Sequence, residues 1–254
     1  MKTSAFEIPM HPGSALAINL DQYFSEVVSI LDQPDSKTIL KAADSLKQII
    51  TITSRADFKK TIVETMLHFY QAYGVHANHP EVDKKMLSRL LRKISYWIDF
   101  LETNEVKHIL ETVLSASYIM KYCSNIPEST RLHTDMVYSS WQRLGLSSQL
   151  QHLKWVLSQL APIHSLVSFL CQLLRQERPH KSYQTLDTGY YHHSVPQQKL
   201  FYVSLKLESA ANIYPEISLV SQKLLIYFHE LIVTGDELTT TPVKTGLTFS
   251  MMFS

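Results

Sequence analysis

Basic side chains are the residues of this chain whose types and spacing most strongly suggest a binding chemistry. An arginine guanidinium binds a carboxylate through two parallel hydrogen bonds, and a lysine ammonium binds it as a point charge. Each basic cluster therefore predicts a surface for an acidic partner, with a plain solvated face as the alternative. The clusters are Arg55, Lys59 and Lys60; Lys84, Lys85, Arg89, Arg92 and Lys93; Arg175, Arg178 and Lys181; and the single Lys223.

Two of these clusters differ in their surroundings. The one at Arg175 is followed by aromatic residues, among them Tyr190 and Tyr191, that would supply apolar anchors for a partner. The one from Lys84 to Lys93 lies on the outward face of a long amphipathic helix. For that helix we expect ordinary solvent-facing surface.

The twelve histidines open an alternative, a metal-dependent or hydrolytic site. His192 and His193 are adjacent, and adjacent residues of a strand point to opposite faces, so the two do not suit one ion. Cys123 and Cys171 lack the spacing of zinc or redox motifs, and we expect free thiols. The six glycines form neither a dinucleotide-binding motif nor a phosphate-binding loop. Nothing here positively supports enzyme activity or a cofactor.

Composition restricts the partners further. The 254 residues carry 24 basic and 23 acidic side chains, so the formal net charge is only +1. A general attraction to nucleic acid or to an anionic membrane is therefore not expected, and a charged partner must use a local patch. No apolar stretch approaches the roughly 20 residues that span a bilayer. We expect a soluble, cytoplasmic protein that does not insert into a membrane.

Two periodicities indicate the elements that position these clusters. Apolar residues recur at helical spacing through the first two thirds of the chain, and strictly alternating runs such as 200–207 follow. Helices followed by strands predict an α+β fold, with an N-terminal multi-helix domain and a small antiparallel β domain formed mainly by the C-terminal third. The predicted limits are 1–178 for the helical domain, 5–10 for an additional strand that joins the sheet, and 179–254 for the β domain.

Local signals refine this division. Ser54 with Asp57 three residues on resembles a capping box that would start the third helix. Alternation over 200–207 indicates a half-buried strand, and residues 235–241 indicate a polar loop. The stretch 173–191 leads from the helices to the strands and also concentrates positive charge, so it is either a functional site or a hinge.

The order of several short motifs resembles the ZapD family of bacterial cell-division proteins over nearly the whole chain. No single motif is decisive, but their order and spacing together are specific. The motifs are Phe6-Glu7 with Pro9, Arg55 with Lys59, Trp141 with Trp155, Leu160-Ala161-Pro162, Leu174-Arg175-Gln176 with Pro179, Gly189-Tyr190-Tyr191, and Ile213-Tyr214-Pro215-Glu216-Ile217-Ser218 followed by Lys223 and Phe228.

The resemblance implies a homodimer that is not an enzyme and needs no cofactor. It implies binding to the C-terminal tail of FtsZ, the tubulin-like filament protein, and bundling of FtsZ protofilaments at the mid-cell division ring in support of septation. Two sites in one dimer let a modest affinity suffice. The alternatives are a helical scaffold for another acidic partner and a histidine- or metal-dependent hydrolase.

The basic residues of the family are kept at some positions of this chain and replaced at others. Arg55 and Lys223 keep the family's basic charge, whereas Tyr227 stands in place of an arginine. Asn19 and Ser115 replace basic residues that line a pocket of the helical domain. The tail is therefore expected either on the Arg55 and Lys223 side or at Arg175, Arg178 and Lys181, which we call the junction cluster. The expected contact residues are Arg55, Lys59, Lys223, Tyr227, Arg175, Arg178 and Lys181.

Overall fold

The protein is described by a computed structural model for residues 4–123, 138–175, 180–185, 188–195, 200–207, 212–234 and 237–253. Helices occupy the N-terminal part and antiparallel strands the C-terminal part, which confirms the predicted α+β class. The chain divides into two compact units, which we call the sheet unit and the helical unit. The sheet unit comprises Met1–Ala15 with Leu174–Ser254, and the helical unit comprises Leu16–Leu173.

Apolar residues at three- and four-residue spacing give each long helix one buried side. On the fourth helix, for example, Leu87, Ile94 and Leu101 are buried and the opposite side is charged. The helices are α1 (Pro12–Asp32), α2 (Thr38–Thr53), α3 (Ala56–Gly74), α4 (Lys84–Glu102), α5 (Glu105–Ala116), α6 (Tyr118–Cys123), α7 (Leu146–Gln159) and α8 (Ala161–Leu174), with a 3₁₀ turn (Val75–Asn78) before α4 and further helical residues at 138–142.

Helices α7 and α8 are apolar and follow one another closely. No single helix of the described ranges is long and apolar enough to cross a bilayer. Helices α7 and α8 reach that length and composition only when taken together, and they are bent by 62° with respect to each other.

The capping box predicted at the start of α3 is wrong. Helix α3 begins at Ala56, and its N-cap is Arg55, whose side chain makes no capping hydrogen bond. The backbone N–H of Ser54 instead donates to the carbonyl of Ile50 at 2.9 Å and so ends α2. Only two residues connect the helices, and this leaves Ser54 in the α conformation. The carboxylate of Asp57 is consequently available to Arg55.

The strands form two antiparallel sheets within the sheet unit. The first has the order β1-β4-β8-β2, so the N-terminal strand pairs with a strand from the C-terminal third. The second has the order β3-β6-β5, with β7 paired to the far end of β6. The strands are β1 (Ser4–Pro9), β2 (Lys181–Gln184), β3 (Tyr190–Ser194), β4 (Tyr202–Leu207), β5 (Ile213–Val220), β6 (Lys223–Thr234), β7 (Glu237–Pro242) and β8 (Thr248–Phe253).

Two strand predictions are corrected. Residues 237–242 form β7 instead of a polar loop, because their β-branched threonines pair with the extended end of β6 from His229 to Thr234. Strand β4 is more buried than predicted, because Tyr202 and Ser204 on its polar side are buried and only Lys206 on that side is exposed. Its polar-side residue Tyr202 is only 1% exposed, and such a residue needs a partner for its hydroxyl.

Gly189 allows β3 and the end of β7 to meet against β6. Its φ is +66°, a left-handed conformation that glycine adopts without strain. A Cβ at this position would lie 2.4 Å from the carbonyl oxygen of Val243. The carbonyl of Gly189 accepts a hydrogen bond from the N–H of Phe228, and the carbonyl of Phe228 accepts one from the N–H of Val243. The glycine therefore fixes where the two strands stop along one edge of β6.

Candidate functional site

A groove of about 300 Å³ in the helical unit lies between the start of α3 and helix α5. We call it the α3–α5 groove. Phe58, Leu101 and Leu110 line it and are almost fully buried, so they give it an apolar floor. Arg55 and Lys59, two of the predicted contact residues, also line it. The structure therefore brings these two side chains together beside an apolar surface.

The exposed cations of the α3–α5 groove have weak internal partners. Nε and Nη2 of Arg55 lie 3.2 and 3.0 Å from the two carboxylate oxygens of Asp57. Nζ of Lys107, which also lines the groove, lies 3.8 Å from Glu111. More than half of each of these four side chains is exposed, and exposed pairs contribute about 0–1 kcal/mol. A carboxylate of a partner can therefore replace either internal one at small cost.

Lys59 is held more firmly than its neighbours. Its Nζ donates to the backbone carbonyl of Glu102 at 2.8 Å, at the C-terminal end of α4. A cation is favoured there because the last carbonyls of a helix carry partial negative charge. The bond fixes Lys59 at the edge of the α3–α5 groove and ties α3 to α4.

Lys107 is a groove residue that the sequence did not single out. Its spacing of four residues from Glu111 is typical of an ordinary helix-surface pair. Only the packing of α5 beside the start of α3 shows that Lys107 belongs with Arg55. The four-residue spacing from Leu110 to Leu114, which also line the groove, is the one available signal that this helix side faces an apolar surface.

A second candidate surface is the outward face of β3, β6 and β5, which we call the sheet face. Lys223 and Tyr227 are four residues apart on β6, so their side chains point to the same side. Tyr227 is 43% exposed, and its ring centroid lies 4.9 Å from that of Tyr190 on β3. His192 is exposed between them on β3. The sheet face thus combines one cation with an aromatic pair.

The junction arginine has an internal role. Nε and Nη2 of Arg175 lie 2.7 and 2.9 Å from the two carboxylate oxygens of Glu7 on β1. The same carboxylate accepts a hydrogen bond of 2.7 Å from the hydroxyl of Tyr202. Hydrogen bonding from Arg175 lowers the pKa of Glu7, although burial opposes this shift. The pKa of Tyr202 is raised, first by burial and then by its bond to Glu7. This network joins β1, β4 and the residue after α8.

The other two junction residues are separated from that network. Arg178 lies outside the described residues. Lys181 begins β2 and is exposed, opposite Met251 of β8. Burial, and secondly the positive charge of Lys181, lower the pKa of His193. Of the two predicted junction cations in the described residues, Arg175 is bonded to Glu7, whereas Lys181 is exposed at the start of β2.

Asn19 and Ser115, the two uncharged residues that replace basic residues of the family, are both exposed. Asn19 lies on α1, and Ser115 lies on α5, where its hydroxyl donates to the carbonyl of Thr112 at 3.0 Å. Neither side chain lines the α3–α5 groove. The basic pocket that these positions would form in the family is therefore uncharged at both of them.

The geometry gives little support to a metal site or a hydrolytic site. Within the described ranges, no three His, Cys, Asp or Glu side chains are grouped so as to hold a metal ion. Cys171 is buried, with 1% of its surface exposed. Oγ of Ser117 lies 2.9 Å from Nε2 of His152, but Ser117 is only 1% exposed and burial lowers the pKa of the histidine. A substrate cannot reach this serine, and the pair is explained by packing.

Comparison with known proteins agrees with the order of motifs along the chain. Residues 18–226 match the family model of ZapD, which is described as a cell division protein. The chain belongs to the ZapD family. It is similar to the cell division protein ZapD of two Coxiella burnetii strains, RSA 331 / Henzerling II and RSA 493 / Nine Mile phase I. Each is 20% identical over 239 residues, which cover 93% of this chain and 92% of the relative.

Membership of the ZapD family gives the chain a role in cell division. The family match spans the α3–α5 groove and Lys223, and it ends one residue before Tyr227. At 20% identity, fold and general role carry over more securely than individual contacts. The two candidate surfaces therefore have to be judged by their own geometry.

Proposed function

We propose that this ZapD-family protein binds the C-terminal tail of FtsZ and, as a homodimer, crosslinks FtsZ protofilaments at the mid-cell division ring. It acts through binding, without catalysis or a cofactor. Its family membership supports a role in division, and the α3–α5 groove is the observation that carries the choice of site. The groove combines an apolar floor with exposed cations, which suits a peptide that has both apolar side chains and carboxylates.

Arg55 is the central residue of this proposal. Its guanidinium already presents two parallel donors to a carboxylate, and it needs only to exchange Asp57 for a carboxylate of the tail. Lys59, fixed by the carbonyl of Glu102, and Lys107 would add positive charge on either side. Apolar side chains of the tail would cover Val106 and Leu114, which line the groove and are partly exposed, and so remove apolar surface from water.

The sheet face is the second contact in this proposal. Lys223 would pair with a carboxylate, and the Tyr190–Tyr227 pair would supply flat apolar area at low entropic cost. Tyr227 replaces the positive charge of the family's arginine with stacking and one hydroxyl. We therefore expect this protein to depend less on salt at the sheet face than at the groove, because stacking is not screened by ions.

Sedimentation of FtsZ polymers formed with GTP tests the proposal. The wild-type protein should pellet with the filaments and bundle them, and Arg55→Glu should weaken binding of a fluorescent FtsZ tail peptide by about 10-fold or more, since a hydrogen bond to a charged group contributes about 1.5–3 kcal/mol. Lys223→Glu should weaken it too. Both positions are exposed, so unfolding free energies should change little.

Lys60→Glu is the matched control, because Lys60 is an exposed cation of the same helix that does not line the groove. It should bind the tail almost as the wild type does. Failure of the wild type to pellet with filaments or to change their bundling would refute the proposal. Normal pelleting with unchanged tail affinity in Arg55→Glu and Lys223→Glu would move the site elsewhere.

A helical scaffold for a different acidic partner is the second candidate. The same groove geometry supports it, because exposed arginine and lysine do not select among carboxylate-bearing peptides. An unrelated acidic peptide of equal charge distinguishes the two candidates. If it binds as tightly as the FtsZ tail, the groove recognises charge alone.

A further inference from the structure

The exposed side of α4 concentrates positive charge that its surroundings do not neutralise. Lys85, Arg89 and Arg92 follow one another at spacings of four and three residues along the middle of this side. Lys84 and Lys93 flank them, and all five side chains are exposed. Among the residues that the structure describes, none of the five forms a salt bridge with a carboxylate. We call these five residues the α4 basic row.

The α4 basic row lacks the ion pairs that several other helical cations form. Lys41 pairs with Glu26, Lys47 with Asp44, Lys60 with Glu64, and Lys107 with Glu111. The whole chain carries only +1, so the remainder is net acidic once the row is set aside. Carboxylates are therefore plentiful in the chain, but within α4 they are confined to the last turn.

The contacts that the row does make leave its charge intact. Nζ of Lys93 lies 4.5 Å above the ring of Phe169, and Nε of Arg92 donates to the carbonyl of Ser88 at 3.3 Å. The acidic residues of this helix lie near its ends. Asp83 caps the first turn by accepting from two backbone N–H groups, and Asp99 lies in the last turn.

Exposed apolar side chains accompany the row. Val75, Met86 and Tyr96 are 80%, 72% and 60% exposed, and they are three of the five most exposed large hydrophobic residues in the described part of the chain. Met86 and Tyr96 lie on α4 itself. Val75 lies in the preceding 3₁₀ turn, which borders, through Ala77, a groove of about 380 Å³ beside α4.

Both cationic and apolar side chains line that groove. Lys84 and Arg92 contribute charge to it, and Tyr70, Leu87 and Leu91 contribute apolar surface. The exposed part of this helix of 19 residues, which is about 28 Å long, carries the cations together with Met86 and Tyr96. This is the pattern of a surface that rests on a lipid interface, with apolar side chains in the headgroup region and cations on the phosphates.

We propose that the α4 basic row, with Met86 and Tyr96 of the same helix, docks this protein on an anionic phospholipid bilayer. The contact is peripheral and involves no spanning segment. A nucleic acid or an acidic peptide would satisfy the five cations as well, but it would leave the exposed Met86 in water. A bilayer satisfies both groups at once, which is why it is the occupant that the observations favour.

Vesicle sedimentation tests this surface with the full chain. The protein should pellet with vesicles of equal parts phosphatidylglycerol and phosphatidylcholine, and not with pure phosphatidylcholine. High salt should release it, because the surface attraction is screened. Each cation near the surface contributes about fivefold in affinity, so the triple variant Lys85→Glu, Arg89→Glu, Arg92→Glu should bind at least about 100-fold more weakly.

The matched control reverses three exposed lysines outside the row, Lys37, Lys60 and Lys154, to glutamate. Its net charge equals that of the triple variant, yet it should keep most vesicle binding. Met86→Ser should weaken binding severalfold and leave the salt dependence unchanged. Circular dichroism and thermal melts confirm that each variant is folded.

Several results would overturn the proposal. These are equal binding to pure phosphatidylcholine, equal loss in the triple variant and its control, or tighter row-dependent binding to DNA than to vesicles. Loss of FtsZ co-sedimentation in the triple variant would assign the row to the filament site instead. If the triple variant keeps FtsZ binding but loses vesicle binding, the lipid surface is supported separately from the proposed function. If the wild type binds vesicles but not FtsZ, the proposed function fails and the lipid surface stands.

Discussion

Two arginines of this protein bind carboxylates in the same bidentate manner but in different surroundings. Arg55 binds Asp57, two residues away, and both side chains are more than half exposed. Arg175 binds Glu7 across 168 residues of sequence, and both side chains are about one third exposed. The carboxylate of Glu7 also accepts the hydroxyl hydrogen of the buried Tyr202.

The difference separates a binding arginine from a structural one. Breaking the Arg55 pair leaves two charges that water solvates, so little free energy is lost. Breaking the Arg175 pair disturbs a carboxylate that also satisfies a buried hydroxyl, and an unsatisfied buried group costs about 1–3 kcal/mol. We therefore infer that Arg55 is free to exchange partners, whereas Arg175 mainly holds β1 in the sheet unit.

Removing each carboxylate gives the largest expected contrast. Glu7→Ala should lower the free energy of unfolding by about 2–3 kcal/mol, because Tyr202 loses its acceptor and Arg175 its partner. Asp57→Ala should lower it by less than about 1 kcal/mol, since it loses an exposed pair and a favourable charge in the first turn of α3. Urea denaturation measures both. Equal losses in the two variants would contradict the distinction.

Tyr202→Phe should show how much of the first effect comes from the buried hydroxyl. The variant keeps the Arg175–Glu7 pair, so we expect a loss of only about 1 kcal/mol, typical of one hydrogen bond. In a double-mutant cycle with Glu7→Ala, the two changes should be non-additive, because they remove the same bond. Additive losses would mean that the ion pair alone stabilises this part of the sheet unit.

Acid should weaken the Arg175 network selectively. The pKa of Glu7 is below its ordinary value of 4.5 in the folded protein, chiefly because of its hydrogen bond from Arg175. A lowered carboxylate pKa adds stability above the unfolded-state pKa, and this stability is lost as pH falls through the folded-state pKa. Between about pH 5 and 3, the melting temperature of the wild type should fall more steeply than that of Glu7→Gln. Parallel curves would contradict this.

The sequence could predict the local features of both arginine sites. Helical spacing located α3 and α4, and alternation located β4, because both signals arise from neighbours in the chain. Arg55 and Lys59 were recognisable as a cluster for the same reason. The failed capping box shows the limit even at short range, since the two-residue connection between α2 and α3 decided which residue became the N-cap.

Features that depend on distant contacts were not predictable. Glu7 and Arg175 are adjacent only because β1 pairs with β4, and no local pattern specifies that register. Tyr202 is buried on the predicted polar side of β4, which alternation alone does not reveal. Lys107 joins the α3–α5 groove through helix packing. In each case the residue type is visible in the sequence but its neighbours in space are not, and these neighbours decide its role.

The smallest expected effect is also the most direct test of exchange at Arg55. If the α3–α5 groove binds a tail carboxylate as proposed, Asp57→Asn should strengthen tail binding by about two- to fivefold, because it removes a competitor that contributes at most about 1 kcal/mol. Fluorescence anisotropy with the FtsZ tail peptide measures this gain. Glu64→Gln is the matched control, since it makes the same charge change on α3 next to Lys60.

A gain confined to Asp57→Asn would mean that Arg55 binds one carboxylate at a time. Asp57 would occupy it in the free protein, and a carboxylate of the tail would occupy it in the complex. Equal gains in Asp57→Asn and Glu64→Gln would reduce the effect to overall charge, because both variants remove one negative charge from α3. Weaker binding by Asp57→Asn would instead show that Asp57 orients the guanidinium toward the tail, and that the two arginine pairs are both structural.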